Sequence, residues 1–172
     1  MISLRLMSET DISAVLSIQS ECYVTEAIES EAAIRARLRI APSCAWIAED
    51  AHGACAYLVG YPSRLGKVTP LGSSFDVSPS STSLYLHDLA VSRRVAGQGV
   101  GSLLVRFALD AAQRAGLSHS SLVSVQNSAA FWRSLGYREQ ELTDAAQAAH
   151  LGTYPAPACY MVRSKCNQGR ES

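Results

Sequence analysis

The chain has 172 residues, of which 48% are hydrophobic and 17% charged, a composition typical of a soluble globular protein with one sizeable core. Its 15 basic and 15 acidic side chains balance, which argues against a nucleic-acid or membrane-surface partner. The five cysteines are scattered and lack metal-ligand spacing, so we predict reduced thiols, no metal and a cytoplasmic location. No secretory signal pattern and no apolar stretch of membrane-spanning length is present in the sequence.

The first third of the chain combines strand and helix patterns. Alternating apolar residues predict a strand over Ile2–Leu6, and helical spacing predicts helices from Ser8 to about Cys22 and over Ser30–Ile40. Two further strands, Cys44–Glu49 and Ala54–Tyr61, are separated by a short turn and predict a hairpin.

A long irregular stretch follows the hairpin, from Pro62 to Thr82. Its three prolines and its serine cluster break any regular element. A loop of this length in a compact domain is typical either of a substrate-facing segment or of a surface insertion, and the sequence leaves both open.

The second half of the chain begins with a central strand, after which predicted helices and strands alternate. Its predicted elements are a strand from Leu84 to about Val91, a helix from Ser102 that Gly116 ends, a strand over His119–Val125, a helix over about Ser128–Leu135, a return to the sheet from Tyr137, and a last strand over Ala158–Arg163. The alanine-rich stretch 144–152 is one helical turn or a loop. Residues 1–165 are predicted to form one domain, followed by a disordered tail, 166–172.

The turn before the long helix has glycine at every second position: Gly97, Gly99 and Gly101. The first N–H groups of a helix lack intrahelical partners, and the helix dipole places partial positive charge there. Glycines let a ligand approach those groups, so the stretch predicts an anion site suited to pyrophosphate. A triphosphate loop is disfavoured because no lysine followed by Ser or Thr closes the turn, and the spacing is not that of a dinucleotide fold. A tight packing turn remains the alternative.

LAVSRRVAGQGVGSLL, around this turn, resembles motif A of the GNAT superfamily of acyl-CoA-dependent N-acetyltransferases. Its pattern, (Arg/Gln)-x-x-Gly-x-(Gly/Ala), falls on Ala96, Gly99 and Gly101, so that alanine replaces the first residue. A register two residues earlier would use Arg94, Gly97 and Gly99. We favour the later register because it keeps the family's separation between strand end and helix start.

VQNSAAFWRSLGY, Val125 to Tyr137, resembles motif B of the same family. Two motifs in the right order imply the GNAT fold, an α+β fold with a mixed, mostly antiparallel sheet of about six to seven strands flanked by four helices. The resemblance also implies acetyl-CoA as co-substrate, a small-molecule or peptide amine as acceptor, and leaves a homodimer open. The implied cofactor-binding residues are Leu89, Ala90, Val91, Ala96, Gly97, Gln98, Gly99, Val100, Gly101, Ser102, Asn127, Phe131 and Trp132.

His87 and Asp88 are the candidate catalytic residues. Certain aralkylamine acetyltransferases of the family carry a base histidine at the position of His87, and an imidazole that titrates near neutrality can take an amine proton. Asp88 is predicted to orient it if a bulge brings the two side chains to one face. A partly buried, purely structural histidine is the alternative.

Motif B of this chain differs from the family pattern at the position of the general acid. The family often places a tyrosine four residues before the glycine of motif B, and this chain has Trp132 there. An indole N–H donates a hydrogen bond but delivers no proton at useful pH. Tyr154 and Tyr160 are weaker candidates for the acid.

The candidate residues for acceptor selection point to different kinds of acceptor. Glu26, Glu29 and Glu31 either attract an ammonium group or are solvated acids at a helix start, whereas Arg64 and Lys67 would favour a carboxylate. Tyr85 and Tyr160 are also candidate acceptor-binding residues. We therefore expect an acetyl-CoA-dependent N-acetyltransferase that works by direct attack in a ternary complex, with a catalytically silent acyl-CoA sensor as the rival.

Overall fold

The computed structural model describes residues 1–164. The strands are β1 (Ser3–Leu6), β2 (Ala45–Asp50), β3 (Gly53–Ser63), β4 (Ser83–Val91), β5 (His119–Ser124), β6 (Arg138–Glu139) and β7 (Cys159–Ser164). The α-helices are α1 (Ile12–Cys22), α2 (Glu31–Ile40), α3 (Val100–Arg114), α4 (Ala129–Ser134) and α5 (Ala145–Leu151).

The seven strands form one sheet in the order β1-β2-β3-β4-β5-β7-β6. Of the six strand pairs formed within residues 1–164, only β4–β5 is parallel. Four helices of the described chain have seven residues or more. The predicted mixed, mostly antiparallel sheet with flanking helices is confirmed.

Helix α3 differs from its predicted form. It begins at Val100 rather than Ser102, with Gly99 at the N-cap position. Leu104, Val105 and Ala108 are completely buried, whereas Leu103 is 42% exposed. Leu104, Val105 and Ala108 have helical spacing and form the face of α3 that packs in the core.

The alanine-rich stretch 144–152, predicted as one turn or a loop, contains helix α5. The Asp144 carboxylate accepts hydrogen bonds from the N–H groups of Ala146 and Gln147, which caps the helix. The predicted tail, 166–172, lies outside the described residues.

The long stretch 64–82 has no helix or strand but packs on the molecule. Phe75 is 6% exposed, and its ring stacks on Tyr61 with centroids 4.3 Å apart. Val68 is also buried and contacts Tyr160 of β7. The stretch therefore covers one face of the sheet and brings Leu71 to a cavity described below.

Strand β4 is irregular at its centre. Val59 of β3 pairs with Asp88 and the next residue, Gly60, pairs with Leu86, so His87 is the extra residue of a bulge. On its other side, β4 pairs with β5 only over Ser83–Leu86. The two strands then continue without further described pairs, and a gap opens between them.

Candidate active site

A cleft of about 490 Å³ occupies the gap between the ends of β4 and β5 and continues along the start of α3. Its lining residues are Tyr23, Leu89, Val91, Val95, Ala96, Gly97, Gly99, Val100, Gly101, Ser102, Val125, Gln126, Ser128, Phe131 and Trp132. We call it the cofactor cleft. Its floor is the edge of the central strand, and its far end is the first turn of a helix.

The three glycines of the turn have two different roles. Gly97 and Gly99 have φ angles of 75° and 78°, which a side chain disfavours, and a Cβ on either would meet nothing within 4 Å. At Gly101 a Cβ would lie 3.3 Å from Val91 Cγ2 and 3.5 Å from Phe131 Cζ. The first two glycines shape the open turn, and the third lets α3 pack closely against β4 and α4.

The turn presents backbone rather than guanidinium groups to the cleft. Arg94 is ion-paired with Asp50 and donates to the carbonyl oxygens of Gly53 and Ala54, both 3.1 Å away. Ala96, not Arg94, lines the cleft. Because the first N–H groups of α3 have no intrahelical acceptors, this end of the cleft suits an anion.

Aromatic side chains form the wall opposite the central strand. The Trp132 ring meets Phe131 edge-on with centroids 4.9 Å apart, and Tyr137 in the same way at 5.5 Å. Trp132 is 7% exposed. Its indole therefore combines helix-to-sheet packing with a position on the cleft.

A second, smaller cavity of about 50 Å³ lies beside the cofactor cleft. Its lining residues are Tyr23, Ala27, Glu29, Leu71, His87, Asp88, Val123, Val125, Gln126, Tyr154 and Pro155. We call it the inner cavity. The bulge explains why neighbours on one strand, His87 and Asp88, both reach it.

His87 is held by a buried ion pair. Its Nε2 lies 3.1 Å from Glu29 Oε1, and the Glu29 carboxylate is paired with Arg37, with both side chains at most 4% exposed. Since a carboxylate accepts, Nε2 carries the proton and Nδ1 is the unprotonated nitrogen. Nδ1 is buried and has no hydrogen-bond partner among residues 1–164.

Burial, together with the charge of Arg37, lowers the pKa of His87 to about 3. The expectation of a histidine that titrates near neutrality is therefore wrong. The predicted orienting role of Asp88 is also wrong, because Glu29 is the residue that contacts the imidazole.

Asp88 instead accepts two hydrogen bonds from phenols. The Tyr23 hydroxyl lies 2.5 Å from Asp88 Oδ1, and the Tyr57 hydroxyl donates to Oδ2 at 2.6 Å. The Tyr23 hydroxyl is also 2.8 Å from the carbonyl oxygen of Leu89. Burial and the nearby Asp88 charge raise the pKa of Tyr23 well above its usual value.

Comparison with known proteins decides the family. The sequence matches the profile described as "Acetyltransferase (GNAT) family" over residues 12–137. The chain belongs to this family. A comparison with curated protein sequences gives no match.

Solved structures of several GNAT proteins share the fold. The GphF GNAT-like decarboxylase in complex with isobutyryl-CoA is 16% identical, with a TM-score of 0.75 over 94% of this chain and 98% of that one. The loading GNATL domain of CurA from Lyngbya majuscula is 13% identical, with a TM-score of 0.74 over 95% and 98%. The ribosomal-protein-S18-alanine N-acetyltransferase from Escherichia coli is 17% identical, with a TM-score of 0.70 over 100% and 99%.

Ten of the thirteen residues that the GNAT resemblance implied for the cofactor line the cofactor cleft. The exceptions are Ala90, which is buried, Gln98, which is exposed and donates to the Arg94 carbonyl, and Asn127, which is exposed with φ 57°. On a strand, successive side chains alternate in direction, which explains why Ala90 points away while Leu89 and Val91 contact the cleft.

The candidate acceptor residues are mostly placed elsewhere. Tyr85 is fully buried and tilted against Tyr61, and the Tyr160 hydroxyl accepts from the N–H of Gly66, so neither lines a cavity of the site. Glu26 is exposed and lines neither cavity. Glu31 is ion-paired with Arg35.

Other charged or aromatic candidates are also accounted for. Lys67 is paired with Asp76, and together with Arg64 it lines a separate surface cleft. Tyr154 does line the inner cavity, but its hydroxyl donates to the Thr69 carbonyl at 2.6 Å.

Tyr23 is the important residue that the sequence did not reveal. It follows the last residue of α1 in extended conformation, in a stretch with no hydrophobic period. Only the packing of α1 against β4, where Cys22 Sγ also donates to the Val91 carbonyl at 3.2 Å, brings its ring to the site.

Cys22, Cys44, Cys55 and Cys159 are free thiols, and Cys166 lies outside the described residues. Within residues 1–164, no group of three or more His, Cys, Asp or Glu side chains is placed to hold a metal ion. The same part of the chain contains no helix with the length and apolarity needed to cross a membrane.

Proposed function

We propose that this GNAT protein transfers the acetyl group of acetyl-CoA to a primary amine of a small molecule or a peptide, by direct attack in a ternary complex. The observation that supports this most strongly is the junction of two cavities at the gap between β4 and β5. The cofactor cleft there has an anion-binding helix start, and the inner cavity has hydrogen-bonding groups suited to an amine.

The chain's own residues account for binding of the donor. The open turn at Gly97 and Gly99 exposes the first N–H groups of α3 for the pyrophosphate. Leu89 and Val91 supply the strand edge, and Trp132 closes the opposite side and excludes water. The donor brings a thioester, whose carbonyl carbon is the electrophile.

The inner cavity offers an amine both charge and hydrogen bonds. Arg37 offsets the charge of Glu29, so Asp88 gives the cavity a net negative charge that attracts an ammonium group. His87 Nδ1, buried and without a partner in the described chain, is an acceptor for the N–H of the neutral amine. On this proposal His87 orients the attacking amine and does not act as the general base.

With the acceptor's amino group in place, the inner cavity leaves little room beside it for the acyl group of the donor, which favours a short acyl group. Its volume is about 50 Å³, against about 490 Å³ for the cofactor cleft. Branched or long acyl chains would have to displace Leu71 or Tyr154, which line the cavity. We therefore expect acetyl-CoA to be preferred over isobutyryl-CoA.

The test is thiol release from acetyl-CoA against a panel of amines, amino acids and peptides, with isobutyryl-CoA as a second donor. We expect acetyl transfer to at least one primary amine. Tight CoA binding without transfer to any acceptor would contradict the proposal and favour the catalytically silent sensor. The presence of Trp132 in place of the phenol of motif B is the feature that favours this rival.

A further inference from the structure

We propose that Asp88 and Tyr23 form a proton relay that replaces the missing tyrosine of motif B, with Tyr23 as the residue that protonates the departing thiolate. The inference rests on the proposed function. It concerns the step for which the position of Trp132 provides no acid.

Position singles out Tyr23. The cofactor cleft and the inner cavity share three lining residues: Tyr23, Val125 and Gln126. A valine has no exchangeable side-chain proton, and an amide does not act as an acid in water. Tyr23 is therefore the shared residue that can pass a proton from the amine side to the thiol side.

The other nearby phenols do not meet this requirement. Tyr57 is completely buried and lines neither cavity, and Tyr154 lines only the inner cavity with its hydroxyl bonded to Thr69. Tyr160, considered as an acid from the sequence, is bonded to Gly66 outside the site.

The Tyr23 hydroxyl is held at the place where the two strands separate. It contacts Asp88 Oδ1 at 2.5 Å and the Leu89 carbonyl oxygen at 2.8 Å. Tyr57 holds the second oxygen of the same carboxylate at 2.6 Å. Two fixed contacts on one hydroxyl leave the phenol little freedom, which favours a positioned proton donor.

Atoms and protons balance in the proposed step. The amine nitrogen forms a bond to the acyl carbon, and the bond between that carbon and sulfur breaks. The surplus proton of the nitrogen passes to the Asp88 carboxylate, and the Tyr23 phenol gives its proton to the sulfur. Asp88 then returns its proton to the Tyr23 oxygen, so both residues end in their starting states.

The raised pKa of Tyr23 fits this role. The phenol keeps its proton throughout the physiological pH range, so a proton is always available for the departing thiolate. A free phenolate is disfavoured, so the transfer to sulfur is coupled to the return of a proton from Asp88.

The test compares Tyr23→Phe with Tyr57→Phe. Each removes one hydroxyl from Asp88 and keeps the ring, but only Tyr23 lines the cofactor cleft. The first readout is the pKa of the thiol group of bound CoA, which is measured through the ultraviolet absorbance of the thiolate. We expect Tyr23→Phe to raise this pKa by about one unit or more, because a donor to the thiolate is lost, and Tyr57→Phe to leave it unchanged.

The second readout is single-turnover acetyl transfer to the best amine at saturating donor. Tyr23→Phe should lower the rate by about 10²-fold or more with unchanged CoA affinity, and Tyr57→Phe should lower it much less. Asp88→Asn, which interrupts the relay at its other end, should match Tyr23→Phe in rate. It serves as the second probe if Tyr23→Phe folds poorly.

The outcomes separate the two proposals. Equal losses in Tyr23→Phe and Tyr57→Phe, or an unchanged thiol pKa in Tyr23→Phe, would overturn the relay while leaving the transferase intact. A parent protein that transfers no acyl group to any amine would overturn the proposed function, and the relay with it.

Discussion

His87 Nε2 lies 3.1 Å from Glu29 Oε1, and Glu29 is in turn paired with Arg37, so a histidine, a carboxylate and a guanidinium form a continuous buried chain. The Arg37 guanidinium is further held by the carbonyl of Ser73 at 2.6 Å and lies over the Phe75 ring. This chain ties α2 and the stretch 64–82 to the central strand.

The first prediction is a loss of stability in mild acid that depends on His87. Its pKa is about 3 in the folded state and about 6.5 in an unfolded chain. Below pH 6.5 the unfolded chain binds a proton at this histidine, whereas the folded protein binds it only near pH 3. The free energy of unfolding therefore decreases as the pH falls across that window. At pH 5 the loss is about 2 kcal/mol.

Urea unfolding at pH 7 and pH 5 of the parent and of His87→Gln measures this effect. The variant should lose less stability between the two pH values by about that amount. Replacement of the exposed His52 by Gln controls for the removal of a histidine. An identical pH dependence in the parent and in His87→Gln would show that the imidazole is not held neutral.

The second prediction concerns the buried ion pair. Arg37→Ala leaves the Glu29 carboxylate, 4% exposed, without its counter-charge, so we expect a loss of about 3–5 kcal/mol in the free energy of unfolding. Arg35→Ala, on the same helix with partners that are half exposed, should change it little. Similar Tm values for the two variants would argue against an energetically important pair.

The third prediction separates backbone strain from cofactor binding. Gly99 and Gly116 flank α3, have φ angles of 78° and 83°, and each has open space where a Cβ would lie. Replacement of either by Ala should cost about 1–2 kcal/mol because of the left-handed conformation. Calorimetry should show weaker CoA binding for Gly99→Ala alone. Equal CoA affinities in the two variants would place the pyrophosphate elsewhere.

Much of the fold followed from the sequence because its strands alternate and its turns contain glycine or proline. The hairpin around Gly53 and the glycine turn before α3 are local features, so short-range patterns predict them well. The two cavities are not local. Their key contacts join Tyr23 to Asp88, 65 positions apart, and Glu29 to His87, 58 positions apart.

Long-range contacts of this kind also explain the wrong predictions. The motif placed His87 on the central strand correctly, but its pKa depends on burial and on the charge of Arg37. The Phe75 ring, from the stretch 64–82, lies 5.5 Å from the imidazole. Likewise, alternation alone would separate His87 from Asp88, and the bulge opposite Gly60 reverses that. A Cβ at Gly60 would lie 2.5 Å from the Tyr85 carbonyl oxygen. A glycine inside a predicted strand was therefore the sequence feature that could have indicated the bulge.

The last prediction tests whether a phenol on the opposite wall of the cofactor cleft can replace Tyr23. Trp132→Tyr in the Tyr23→Phe background places a hydroxyl where the family often has one. We expect it to restore part of the acetyl transfer and to lower the pKa of the bound thiol toward that of the parent. In the parent background, where Tyr23 already donates, the same substitution should have a small effect.

Trp132→Phe in the Tyr23→Phe background is the matched control. Both replacements remove the indole from its contacts with Phe131 and Tyr137 and leave a comparable cavity, so their losses of stability should be similar. They differ in one hydroxyl. Recovery with Tyr but not with Phe would show that the site lacks only a proton donor once Tyr23 is removed. Failure of both would mean that this part of α4 does not reach the sulfur, and that the end of α1 supplies a proton path that α4 cannot.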